Sequence, residues 1–106
     1  MNPKLVRDRI PNLIRSEGKL PVVHYSDDDE YADCLREKLS EEVDEYLSSE
    51  KEEELADILE VIDAICDYKH IDKHSLQELK ERKAQEKGSF IKRVVLDNIE
   101  EPAQKL

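Results

Sequence analysis

The sequence has no excess of positive charge, no long apolar run and very little cysteine. Seventeen Lys and Arg stand against 27 Asp and Glu, a net charge of -10, whereas proteins that bind duplex nucleic acid usually present a basic surface. No apolar run approaches the roughly 20 residues of a membrane span. Residues 1–13 lack the apolar stretch of a secretory signal. We therefore expect neither a nucleic-acid duplex nor a membrane among the partners, and a cytoplasmic location.

The two cysteines, Cys34 and Cys66, both occupy apolar helical positions. In a reducing cytoplasm this pattern indicates buried thiols rather than a disulfide or a metal site. Neither cysteine has a basic partner in the sequence, and no Ser/His/Asp pattern is evident. The sequence therefore indicates no side-chain nucleophile.

The composition, 38% hydrophobic and 42% charged, predicts an all-α helical bundle whose helices each have a long solvated face. We expect one domain, residues 1–106, with a frayed tail over residues 97–106. Four helices are predicted from their start and stop signals. The first covers residues 11–17, with Pro11 in its first turn and Gly18 as its stop, and the second is long, from a Ser26 cap to about Leu47. The third runs from a Ser49/Glu52 capping box to near Tyr68, and the fourth from a Ser75/Glu78 capping box to Gly88.

Acidic residues form two pairs spaced three apart, Glu42 with Glu45 and Glu54 with Asp57. Side chains three apart on a helix lie one turn apart on the same face, so both carboxylates of a pair can reach one cation. In a chain this acidic, about six or seven such pairs are expected by chance. The spacing alone therefore also fits ordinary acids on solvated helices.

The direction in which these acids point separates them from chance pairs. At about 100° per residue, Glu42 lies about 20° from Leu35 around its helix, and Glu54 lies about 20° from Val61. Both carboxylates are predicted to face the core side, where an ionised carboxylate costs several kcal/mol unless it is paired or bound to metal. No Lys or Arg on the apolar stripes would pair with them. A divalent cation would pair with these carboxylates. In its absence we expect that replacing Glu42 or Glu54 by glutamine stabilises the chain, because a repelling charge is removed.

Four stretches of the sequence resemble the MazG-like all-α nucleotide pyrophosphohydrolases, and more closely their small phosphoribosyl-ATP pyrophosphohydrolase-like branch. These stretches are KLVRDRIP (4–11), EEVDE (41–45), ELAD (54–57) and KGSF (87–90). The resemblance covers residues 4–96, and the EExxE and ExxD motifs follow the opening segment in the order of the family. One departure is that only eight residues separate Glu45 from Glu54, so the connection between the two helices is shorter than in the larger MazG proteins.

The resemblance implies a specific chemistry for these residues. It implies that Glu42, Glu45, Glu54 and Asp57 bind Mg²⁺, or Mn²⁺ in its place. It also implies hydrolysis of a nucleoside triphosphate or related nucleotide to a monophosphate and pyrophosphate, with assembly as a dimer or higher oligomer. Glu41 completes the EExxE motif, and we expect it, or one of the ligands, to take the proton from the attacking water.

Basic side chains cluster at two places in this acidic chain, at Lys4, Arg7 and Arg9 and again at Lys83 and Lys87. One interpretation is that they bind the phosphates of the substrate. The other is that they form salt bridges with the acids of the bundle or lie on solvated faces. The sequence leaves both interpretations open.

The apolar surface exceeds what one chain of 106 residues can cover, because residues 89–96 and both long helices contribute to it. We therefore expect a homo-oligomer, in which the basic N-terminal segment of one chain could cover the carboxylates of its neighbour. The substrate stays open between phosphoribosyl-ATP and a non-standard triphosphate. The alternative from another class is a non-catalytic acidic helical interaction protein.

Overall fold

The computed structural model describes residues 3–103, and its regular structure there is entirely helical. Its elements are α1 (Ile10–Ser16), α2 (Asp28–Ser49), α3 (Glu52–Lys69) and α4 (Lys73–Lys87). The chain divides into two compact units, Met1–Lys73 and His74–Leu106. The predicted all-α class is confirmed for these residues, which contain no β-strand.

The short helix α1 begins and ends where its proline and glycine predict. Pro11 occupies its first turn, where a missing backbone N–H costs nothing. Beyond its end, Gly18 has a φ of 80° and donates its N–H to the Arg15 carbonyl at 3.0 Å, while Lys19 donates to the Ile14 carbonyl at 3.2 Å. These two bonds form a Schellman motif, which requires the left-handed backbone that glycine adopts without strain.

The long helix α2 is capped by Asp27, so the predicted Ser26 cap is wrong by one residue. Asp27 has extended backbone, and its carboxylate accepts a hydrogen bond from the Glu30 N–H at 2.9 Å. Asp28, Asp29 and Glu30 fill the first turn, where the positive end of the helix dipole stabilises negative charge.

Replacing the capping residue tests this correction directly. We expect Asp27→Ala to lower the free energy of unfolding by about 1 kcal/mol, because the Glu30 N–H loses its acceptor. Ser26→Ala should change it by less than about 0.5 kcal/mol. Urea unfolding of both variants measures the difference, and a larger loss from the serine variant would restore the predicted cap.

The connection between α2 and α3 consists of two residues, Glu50 and Lys51. Glu50 is left-handed, with a φ of 55°, and donates its N–H to the Tyr46 carbonyl at 2.7 Å. The predicted Ser49/Glu52 capping box is absent, and Lys51 occupies the N-cap position without a side-chain hydrogen bond. Because α2 continues through Ser49, this serine is still helical and cannot adopt the extended backbone of an N-cap.

The core of the first unit lies between α2 and α3. Leu35 from α2 and Val61 and Cys66 from α3 are buried, and the rings of Tyr31 and Tyr68 meet edge to face at 5.4 Å. Cys34 is half-buried, and desolvation followed by repulsion from nearby acids raises the pKa of its thiol. Both cysteines are free thiols; Cys66 is buried as predicted, whereas Cys34 is only half-buried. This helix pair is the framework of the candidate site.

The helix α4 begins at Lys73, two residues before the predicted Ser75 cap, and all of its other residues belong to the second unit. It ends at Lys87, and the predicted stop at Gly88 is confirmed by a φ of 86° there. Residues 88–103 contain neither helix nor strand and are exposed; residues 104–106 of the predicted frayed tail lie outside the described residues. Within residues 3–103, no helix has both the length and the apolar character to cross a lipid bilayer.

Candidate metal centre

The four predicted ligands come together in the folded chain. Glu42 and Glu45 of α2 and Glu54 and Asp57 of α3 each contribute a carboxylate oxygen, and these oxygens all lie within 4.8 Å of one another. We call these four residues the acid cluster. Hard divalent cations bind oxygen at roughly 2.0 to 2.6 Å, so ligands on opposite sides of one ion are about 4 to 5 Å apart. The acid cluster therefore has the dimensions of a site for one such ion.

The short turn after Ser49 explains this convergence. With two residues between the helices, the last turns of α2 lie beside the first turns of α3. Residues three apart point from one face, so each helix presents its pair of acids to the other. The prediction made from helical periodicity, that Glu42 and Glu54 face the core side, agrees with a buried Glu42 and a half-buried Glu54.

Glu42 is the buried member of the acid cluster, with 6% of its surface exposed. Its Oε1 lies 3.1 Å from Lys38 Nζ. Its Oε2 is buried and has no hydrogen-bond partner among the described residues. Buried polar atoms nearly always have a partner, so the chemistry of this oxygen fits that of a metal ligand.

Lys38 is a component of the site that the sequence analysis missed. Its ammonium contacts Glu42 at 3.1 Å and Glu41 at 3.5 Å, and its side chain is only 16% exposed. Burial lowers the pKa of Lys38, but the hydrogen bond to Glu42 and the attraction of both acids outweigh burial and raise it overall. The expectation that no cation pairs with the core-facing acids is therefore wrong. The i, i+4 spacing of Lys38 and Glu42 was the available signal.

The basic N-terminal segment reaches the same region within the same chain. Arg7 Nη2 lies 2.7 Å from Asp57 Oδ1, and Lys4 Nζ lies 3.7 Å from Glu41 Oε1. Both cations are half-exposed, at 55% of the side chain. The salt-bridge interpretation thus describes Lys4 and Arg7 in this chain, and no neighbouring chain is needed to bring them to the carboxylates.

The other three predicted substrate-binding cations, Arg9, Lys83 and Lys87, are all exposed. Arg9 is exposed at the N-cap of α1. Lys83 and Lys87 are exposed residues of α4, in the second unit. Their role in binding a substrate stays a prediction.

Two clefts adjoin the acid cluster. A cleft of about 310 Å³ is lined by Glu42, Asp57, Arg7 and Lys38 together with apolar side chains that include Leu35. A wider groove of about 610 Å³ is lined by acids and serines, namely Glu37, Ser40, Glu41, Asp44, Glu45, Ser48, Ser49 and Glu54. Each pair of ligands therefore contributes one member to each cleft, and the acid cluster is accessible from both.

The pKa values of two members of the acid cluster, Glu45 and Glu54, are raised by repulsion between like charges and by desolvation. Repulsion from Glu42 and then desolvation raise the pKa of Glu45. Desolvation and then repulsion from Asp57 raise the pKa of Glu54. A raised carboxyl pKa means that the folded chain binds protons more tightly than the unfolded chain. This contribution to stability is complete below the unfolded pKa and is lost as the pH rises through the folded one.

We therefore expect Glu54→Gln to raise the melting temperature in EDTA at pH 7 by a few degrees. The gain should vanish as the pH falls below the ordinary glutamate pKa of about 4.3, because the carboxyl is then protonated in both the folded and the unfolded chain. Glu52→Gln, which removes an exposed charge from the same helix, is the control and should gain less. Glu42 is the less suitable position, because its neutralisation also removes the nearer of the two carboxylate partners of Lys38. A lower melting temperature for Glu54→Gln at pH 7 would contradict electrostatic strain.

The chain is similar to an uncharacterised protein of Mycolicibacterium smegmatis, with 51% identity over 47 residues. The match covers 44% of this chain and 48% of that protein, so the chain spans about half the length of this relative. No family model and no solved structure matches the chain. The acid cluster and its surroundings are therefore the features from which a function can be inferred.

Proposed function

We propose that this chain is a Mg²⁺-dependent nucleotide pyrophosphohydrolase of the MazG-like all-α type. It would hydrolyse a nucleoside triphosphate or a related nucleotide to a monophosphate and pyrophosphate. The observation that carries the proposal is the acid cluster, in which Glu42 is almost fully buried and its Oε2 has no partner among the described residues. The resemblance of residues 4–96 to this superfamily supplies the reaction.

The donors present fit a hard divalent cation. All four ligands are carboxylates, which Mg²⁺ and Mn²⁺ prefer, and they come from two rigid helices. An ion bound there would neutralise phosphate charge and activate a water for attack on the phosphoanhydride. The four carboxylates are paired with one ammonium, at Glu42, and one guanidinium, at Asp57. The remaining net negative charge favours a cation over an anion.

The surrounding side chains fit the rest of the reaction. Arg7 and Lys4 are exposed cations at the edge of the acid cluster, so each could exchange its carboxylate partner for a substrate phosphate at little cost. Glu41 lines the wide groove beside Glu45 and Glu54, where a carboxylate can accept a proton from water. We assign Glu41 as the candidate general base.

A screen for pyrophosphate release tests the proposed reaction. The purified chain, with Mg²⁺ or with EDTA, is given phosphoribosyl-ATP, the common nucleoside triphosphates and non-standard deoxynucleotides. We expect metal-dependent release of pyrophosphate, together with the monophosphate, from at least one of them. Metal binding without release from any nucleotide would favour the non-catalytic interaction protein instead.

We also propose that the chain works in the cytoplasm as a homodimer or higher oligomer. In the first unit Leu20, Val22 and Tyr25 are at least 84% exposed, and in the second unit Phe90 and Ile91 are at least 86% exposed. Neighbouring exposed apolar side chains such as these occur at association surfaces. Sedimentation at micromolar concentration tests the assembly, and a monomer that releases pyrophosphate would contradict it.

A further inference from the structure

Lys38 differs from the other cations near the acid cluster in its burial. Its side chain is 16% exposed, against 55% for both Lys4 and Arg7. Ion pairs in water contribute little and exchange readily, whereas charges withdrawn from water attract each other more strongly. The contact between Lys38 Nζ and Glu42 Oε1 at 3.1 Å is therefore the most buried of these ion pairs and the least screened by water.

This contact distinguishes the two oxygens of Glu42. Oε1 is occupied by the ammonium, and Oε2 is left buried and without a partner among residues 3–103. The last torsion of a glutamate is broad and weakly restrained, so an unpaired carboxylate would rotate. Partners behind a metal ligand fix its orientation and account for much of its affinity.

We propose that Lys38 is a positioning residue of the metal centre. By holding Oε1 it keeps Oε2 available to the cation, and it balances the buried charge of Glu42 when no metal is bound. This inference rests on the proposed function, because it requires the acid cluster to bind a divalent ion. It also predicts an effect of unusual sign. The Lys38 ammonium repels a cation, so removing that charge should tighten cation binding if Coulomb repulsion were the only effect. If Lys38 holds the Glu42 carboxylate in position, removing it weakens cation binding instead.

Mn²⁺ titration of the full chain, followed by the electron paramagnetic resonance signal of the free ion, measures this sign. Lys38→Met removes the charge and keeps the length, and Lys38→Arg restores a charged donor. Arg36→Met is the matched control, since Arg36 is an exposed cation of the same helix paired with Asp33. We expect Lys38→Met to bind Mn²⁺ about 10- to 100-fold more weakly, Lys38→Arg to recover most of the affinity, and Arg36→Met to stay within about twofold.

The titration separates the failure of this inference from the failure of the proposed function. Wild-type chain with no saturable Mn²⁺ site overturns the proposed function and the role of Lys38 with it. If the wild type has a Mn²⁺ site and Lys38→Met binds Mn²⁺ equally well or more tightly, only the positioning role of Lys38 is overturned. The same holds if Arg36→Met loses as much Mn²⁺ affinity as Lys38→Met. Circular dichroism in EDTA confirms that each variant is folded. If Lys38→Met does not fold, Lys38→Gln takes its place under the same criterion.

Discussion

Glu42→Gln should lose both Mn²⁺ binding and pyrophosphate release, each by at least about 100-fold. Replacing even a partner behind a metal ligand costs 10- to 100-fold in affinity, and Glu42 is itself the buried member of the acid cluster. An amide has one oxygen instead of two and carries no charge. Its carbonyl oxygen is a weak substitute for a carboxylate toward a hard cation. Calorimetric titration and a steady-state pyrophosphate assay measure the two losses.

The control for this prediction must remove the same charge without touching the acid cluster. Glu52→Gln does so, because Glu52 is the exposed first residue of α3. It should retain both binding and activity within about twofold. Circular dichroism and melting in EDTA must show that Glu42→Gln is folded, since its Lys38 has lost a partner. A folded Glu42→Gln chain that still binds Mn²⁺ tightly would place the ion elsewhere.

The helices and the convergence of the four acids were predictable from sequence because both depend on local periodicity. Residues three apart share a helix face whatever the surroundings, and a buried stripe fixes which face turns inward. Glu42 beside the Leu35 stripe, and Glu54 beside Val61, therefore indicated the site before the fold was known. The two pairs of acids also lie close to each other because the connection at Glu50 is short. In the sequence this short connection is visible as the eight residues that separate Glu45 from Glu54.

The partners of the acids were less predictable, because contacts between side chains depend on reach and on distant segments. Lys38 lies about 60° from Leu35 around α2, at the edge of the stripe, and its long side chain returns to Glu42 from there. Arg7 meets Asp57 across 50 residues of sequence, and no local pattern contains that contact. Ser26 and Asp27 are both residues that commonly cap helices. Which of them is the N-cap of α2 depends on which is the last residue with extended backbone before the helix, and this is Asp27.

Leu35→Ala should lower the free energy of unfolding by about 3 kcal/mol, within the range for truncating a buried leucine. Leu35 is 3% exposed and is one of three buried apolar residues in the described chain. For a domain of this size the loss corresponds to a fall of roughly 15 °C in melting temperature. A loss of about 3 kcal/mol is also a large fraction of a typical free energy of unfolding, about 5 to 15 kcal/mol. Differential scanning calorimetry in EDTA measures it.

The same variant tests whether the acid cluster and the core act as one structure. Leu35 lines the cleft that also contains Glu42 and Asp57. An ion that binds only the folded chain stabilises that chain by mass action. The stabilisation is about 2.7 kcal/mol when the ion is at a hundredfold excess over its dissociation constant. Saturating Mn²⁺ should therefore return much of the lost melting temperature to Leu35→Ala. Leu35→Met, which conserves volume, should lose less than about 1.5 kcal/mol. If Leu35→Ala melts within a few degrees of the wild type, the packing of α2 on α3 is not what holds the four carboxylates together.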